Sequence, residues 1–273
     1  MAEDKWLLDG PKTIDVEGIR RLKVGLIRGQ VDIIAHDEPG ARVEVHSVQG
    51  RDLKVSVTGD TLEIDHPQIR WDNWIDAFRS FNGSASADVS IAVPREVALK
   101  LGVVSATALV SGLREDATIS TVSGDVTVDG VTGDLQLNAV SGELTVRNHR
   151  GKVNAHTVSG AITVAGEVSG FSADGVSGEI MLDLSGTPDE IKVNTVSGDV
   201  TARLEPETAT SYTINTVSGR LQLDDAQITS IRGRYAAKYG TLDQRWTDFR
   251  VNTVGGNVSV LHVGSTARST ASA

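Results

Sequence analysis

Asp125, Glu143, Glu179 and Asp199 each directly follow a glycine, and those glycines recur at intervals close to 18 residues or its double. A row of carboxylates held at a constant rise could do two kinds of chemistry. Lining a groove, it could supply the acid and base of polysaccharide cleavage. Interleaved with backbone carbonyls, it could hold calcium between turns of a β-roll. A calcium roll needs Gly-Gly-x-Gly-x-Asp, which is absent, and Ala161 and Arg220 interrupt the row. The repeat also lacks basic partners and sugar-stacking aromatics. The expectation is therefore a solvated acidic ladder, joined by Asp134 in the intervening half-repeat, with no catalytic residue, no metal ligand and no cofactor. A polysaccharide-active β-helix enzyme and a calcium-stabilised β-roll are the two alternatives. No nucleophile elbow, P-loop, zinc-protease helix or dinucleotide fingerprint occurs. The six histidines, His36, His46, His66, His149, His156 and His262, are scattered and expected on the surface.

The elements that hold these acids follow from the glycines. Gly124, Gly133, Gly142, Gly151 and Gly160 fall nine residues apart. Between them, as in Val122–Asp129, apolar and polar residues alternate with the period of a half-buried strand. The inward set moves from even to odd numbers across Asp129–Gly130, so a corner must lie there. Two nine-residue sides make one turn of an all-β, parallel β-solenoid (a β-helix) with about 18-residue turns. Its layers would lie about 4.8 Å apart. Like residues should then stack in rows. One is Ser120, Asn138, His156, Asp174, Asn194, Asn215 and Asn252, four before the glycines; Ser123, Ser141, Ser159, Ser177, Ser197 and Ser218 form a second. Inward glycines would let the two sides approach closely over a thin aliphatic core. Phe171 stands at a ten-residue slip in spacing, which reads as a bulge.

Residues 1–263 are expected to form one β-solenoid domain. Irregular strands fill 1–67, an aromatic insert 68–86, regular Val-Ser-Gly repeats 87–225, and a C-terminal excursion and last turn 226–263. A hairpin is expected about Tyr239–Gly240–Thr241, and 264–273 as a disordered tail. In the insert, Trp71, Trp74, Phe78 and Phe81 recur with Ile75 at intervals of three and four, the stripe of an amphipathic helix near 68–83. Such a helix would cap an open end of the coil or dock a partner. Arg70, Asp72, Asp76 and Arg79 leave it without net charge, which gives membrane contact little support.

A net charge of −10 with no basic run argues against nucleic acid. Cysteine is absent, so disulfides and thiolate chemistry are too. No signal-peptide pattern or long apolar run is visible, and the expected location is the cytoplasm, with a peripheral membrane association as its variant.

The Val-Ser-Gly-Asp/Glu-aliphatic-x-aliphatic repeat, following Val89–Pro94, resembles the bacterial putative-adhesin β-solenoid family, a domain of unknown function with head-GIN-adhesin-like relatives. The resemblance covers roughly residues 10–263. It implies a non-catalytic scaffold that binds an unknown protein or envelope component, in a setting of cell-envelope stress. The contact surface would be the ladder faces or the aromatic insert.

Overall fold

The computed structural model describes residues 3–66, 85–228, 233–242 and 245–263, and every element among them is a β-strand. The first strands are β1 (Glu3–Leu8), β2 (Lys12–Val16), β3 (Arg21–Leu26), β4 (Gly29–His36), β5 (Ala41–Gln49), β6 (Leu53–Thr58), β7 (Thr61–Asp65) and β8 (Ser86–Pro94). The regular part holds β9 (Ala98–Val103), β10 (Thr107–Ser111), β11 (Ala117–Thr121), β12 (Val126–Asp129), β13 (Leu135–Ala139), β14 (Leu144–Thr157), β15 (Ile162–Gly175), β16 (Ile180–Leu184), β17 (Glu190–Asn194) and β18 (Val200–Leu204). The last are β19 (Thr210–Thr216), β20 (Leu221–Leu223), β21 (Ala226–Ile228), β22 (Gly233–Tyr239), β23 (Thr247–Asn252) and β24 (Val258–His262). The insert with Trp71, Trp74, Phe78 and Phe81, expected as a helix, lies outside the described residues.

The strands form two flanks, joined around a corner where β14 and β15 run through without a break. In the regular part the pairing is parallel, and its register is the sequence repeat. Ala117, Leu135, Val153 and Phe171 lie over one another on one flank, and Val126, Leu144, Ile162 and Ile180 on the other. Each step is 18 residues because alternate side chains must face the core, and a slip by one would turn every valine to water. The ten-residue slip is indeed a bulge: Gly151 pairs with Val168 and Lys152 with Gly170, leaving Ser169 over.

At both ends the sheet departs from the all-parallel expectation. β1 pairs antiparallel with β6, β6 with β7, β2 with β5 and β5 with β8. At the far end β22 is antiparallel to β19 and β21 to β20. The expected hairpin about Gly240 does not form. β22 and β23 instead flank β19 on opposite edges, and the tight hairpin is β20–β21 through Asp224 and Asp225.

Spatial order also differs from chain order. β23 lies between β17 and β19, and β24 between β18 and β20. The last rung is thus threaded into a gap left by residues 210–223. The rung of β3 and β4 is threaded in the same way, β3 between β7 and β9 and β4 between β8 and β10.

The core is aliphatic through the middle and thickens towards the C-terminus, where Phe171, Ile191, Phe249 and Tyr212 follow one another rung by rung. Tyr212 meets Phe249 edge to face at 5.7 Å between centroids. The repeat glycines do not work as expected. A Cβ on Gly160 would lie 2.2 Å from the carbonyl oxygen of Gly142, and one on Gly178 2.0 Å from that of Gly160. The close approach is between neighbouring rungs at the corner, not between the two flanks.

Candidate functional site

Four of the repeat corners, at Thr121, Thr157, Thr195 and Thr216, read Thr-Val-Ser-Gly, with Ala139, Gly175 and Gly255 as departures in the others, and each position has a separate task. The threonine points inward. Its hydroxyl oxygen accepts the glycine N–H three residues on, at 3.0 Å in Thr121–Gly124 and Thr195–Gly198 and 2.9 Å in Thr216–Gly219 and Thr253–Gly256. The serine donates to the preceding rung, as Ser141 does to the Val122 carbonyl at 3.0 Å and Ser159 to that of Val140 at 3.2 Å. The threonines escaped sequence reasoning, although their fixed place three before the glycine marked them.

With threonine and glycine turned in, the chain at the corner turns other side chains out. The row four before the glycines is a hydrogen-bonded ladder. Asn194 donates to Asp174 at 2.8 Å, Asn252 to Asn194 at 2.7 Å and Asn215 to Asn252 at 2.7 Å. His156 stands 3.4 Å from Asp174. The ladder was expected, but its order 194–252–215 follows the threaded rung.

Beside it runs a row the strand pattern hid. Val122 is buried, as alternation predicts, but Val158, Val176, Val196, Val254 and Val217 are 46% to 57% exposed. The corner bends between threonine and serine, so alternation fails there. Five valines at about 4.8 Å per rung make an apolar ridge of about 20 Å. A shallow groove of about 330 Å³ runs alongside, lined by Val196 and Val254, Thr195 and Thr253, and the ladder residues Asn194 and Asn252.

Asp125, Glu143, Glu179 and Asp199 are exposed on the far side of the glycines. Asp125 accepts the backbone N–H of Glu143 at 3.0 Å, and Asp199 accepts that of Asn257 at 2.8 Å. These carboxylates cap corner N–H groups of the next rung. In space the row continues Asp199, Asn257, Arg220, so it loses its acidity at the threaded end. Among the described residues no three His, Asp or Glu side chains converge as a metal site.

The chain does hold a carboxylate–imidazole–hydroxyl series, which sequence reading missed. His262 Nδ1 donates to Asp224 Oδ2 at 3.0 Å, and its Nε2 lies 3.3 Å from Thr210 Oγ1. This is the order of a nucleophile relay. Thr210, however, is fully buried and donates to the Thr208 carbonyl at 3.0 Å, while the Tyr239 ring lies flat on the imidazole at 3.5 Å. No substrate reaches that hydroxyl. The series instead ties β19, the β20–β21 hairpin, β22 and the threaded β24 together.

His66 and His149 are buried as well, contrary to the surface expectation, and among the described residues their ring nitrogens have no hydrogen-bond partner. Burial pushes both imidazoles below their ordinary range. Unfolded, each takes a proton near pH 6.5, and the folded chain refuses it until lower pH. Their contribution to stability is therefore complete above that value and is lost as pH falls. Asp65 acts oppositely. Burial raises it to about 6 against the pull of Lys54 at 3.6 Å, so its contribution weakens as pH rises from about 4 towards that value. We expect the histidines to outweigh Asp65, so that the thermal midpoint falls between pH 7 and pH 5, and His149→Leu to reduce that fall. An unchanged pH profile in the variant would show that His149 is not the titrating group.

Among known proteins, the family described as Toastrack DUF4097 matches residues 19–261. No curated protein matches the chain. Two crystal structures are similar in fold: "Putative lipid binding protein" from Parabacteroides distasonis and a "putative adhesin" from Bacteroides fragilis. The first is 16% identical, covers 92% of this chain and 97% of its own, and has a TM-score of 0.55. The second is 11% identical, covers 93% and 98%, and has a TM-score of 0.52.

Proposed function

This chain belongs to the Toastrack DUF4097 family, and we propose that it is a non-catalytic, adhesin-like β-solenoid scaffold that holds a protein or other envelope component along its repeat corners. The observation that carries this is the valine ridge beside the asparagine ladder. Five apolar side chains stand in water at a fixed rise, next to the amides of Asn194, Asn252 and Asn215, which bond to one another along the row. Contiguous exposed apolar surface of this kind marks interaction sites. By contrast, Asp125, Asp199 and the Asp224–His262–Thr210 series hold backbone and rungs together. The name of the Bacteroides fragilis neighbour supports an adhesin-like role. An envelope-stress setting rests on the family resemblance alone. Trp71, Trp74, Phe78 and Phe81 lie outside the described residues, so the contact surface assigned here is the corner edge.

Capture from a bacterial envelope extract tests this. Val196→Glu with Val254→Glu should reduce capture at least about tenfold, as expected for charges placed in an apolar contact, while the thermal midpoint stays put because both side chains already face water. The same proteins captured in equal amount would overturn the assignment of the ridge. Turnover of uronate or neutral glycans, lost on Asp125→Ala and Asp199→Ala, would replace the scaffold with an enzyme.

A further inference from the structure

Among the described residues only four strands pair along a single edge: β1 and β2 at one end of the stack, β21 and β22 at the other. Among the described residues each end therefore presents one open rung with a strand on both flanks. The polarities of the two rungs differ. β1 is antiparallel to β6, which is antiparallel to β7, which is parallel to β3, so β1 runs with the coil. β2 does the same through β5 and β8. β22 and β21 run against it. In two copies stacked head to tail, β22 would meet β1 and β21 would meet β2, both antiparallel and both at once.

Charge separates the β22–β1 flank of this contact from its rivals, whereas the β20–β21 turn on the other flank carries Asp224 and Asp225. β22 carries Arg234 and Lys238 and no acid, in a chain whose net charge is −10. At the other end Asp4, Asp9, Asp15 and Glu17 outnumber Lys5 and Lys12. Cations on an edge strand ordinarily repel further strands, and β22 against β22 is repelled in that way. β22 against the acidic end is not. The inward residues agree: Trp6, Tyr235 and Tyr239 pack on the core but stay partly exposed, and a stacked copy would cover them.

We infer that a second copy of this chain docks end to end through β22–β1 and β21–β2. A heterologous contact of this kind makes open, polar chains of molecules. The full chain should gain mass with concentration in light scattering at low salt and lose that gain in 0.5 M salt. Arg234→Glu with Lys238→Glu should weaken association at least about tenfold, and so should Asp4→Lys with Asp9→Lys, each with an unchanged thermal midpoint. Mixing the two variants should restore the chains, because each supplies the charge the other's end requires. A single-chain mass at every concentration overturns the inference. So do dimers that grow no further, or assemblies indifferent to both reversals and to mixing.

Discussion

Gly178→Ala is expected to destabilise the protein by about 3 kcal/mol, the upper range for overpacking a well-filled site. In a chain of this size that lowers the thermal midpoint by roughly 5 °C. The added Cβ would lie 2.0 Å from the Gly160 carbonyl oxygen and 3.1 Å from Thr157 Cγ2. The oxygen belongs to a backbone held on both sides by the ladder, so it cannot withdraw without lengthening the bonds of the next rung. Gly130→Ala is the control. Gly130 has φ of 64°, but nothing lies within 4 Å of its missing Cβ. Only the left-handed backbone penalises it, at about 1 kcal/mol. Melting curves of the two variants separate close approach from backbone freedom. Equal shifts would mean that the corners need glycine only for conformation.

The second large effect concerns the threaded rung. Were the coil wound in chain order, ending the chain at Leu242 would remove an outer turn and leave a shorter stack. Here the removed strands are β23 and β24, which separate β17 from β19 and β18 from β20. Their loss leaves four strand edges facing across an empty layer and takes Phe249 and His262 from the core and the clamp. We expect residues 205–242 to lose protection in hydrogen exchange and the shortened chain to aggregate through its bared edges. A chain ending at Leu204 keeps its neighbours in order and should fare better than the longer one. Proteolysis of both chains checks this, and the reverse ranking would contradict it.

Much of this was legible beforehand, for a physical reason. Parallel stacking puts residues 18 apart in contact, so the glycine spacing, the inward valines and the asparagine ladder could be read directly from the repeat. The corner was less legible. Period-two alternation stops where the chain bends, so Val158, Val176, Val196, Val217 and Val254 read as core and stand in water. The ends were least legible. Nothing local distinguishes a strand that adds to the end of a stack from one that slides into it, because both bury the same face. Asn252 carries the ladder signature as well as Asn215 does, and only the hydrogen bonds from Asn215 to Asn252 and from Asn252 to Asn194 fix their order. The antiparallel caps and the buried His66, His149 and His262 likewise depend on neighbours distant in sequence.

Because the chain has no cysteine, paired substitutions can report the order of the rungs directly. Lys192 is register-matched to Arg250, and Arg250 to Thr213. Adjacent rungs lie about 4.8 Å apart, within reach of a disulfide, and rungs two apart lie at about twice that, beyond it. Under mild oxidation, Lys192→Cys with Arg250→Cys should cross-link nearly completely, and Lys192→Cys with Thr213→Cys should stay reduced. Cross-linking of the second pair but not the first would place residues 210–216 directly on 190–194 and contradict the threaded stack.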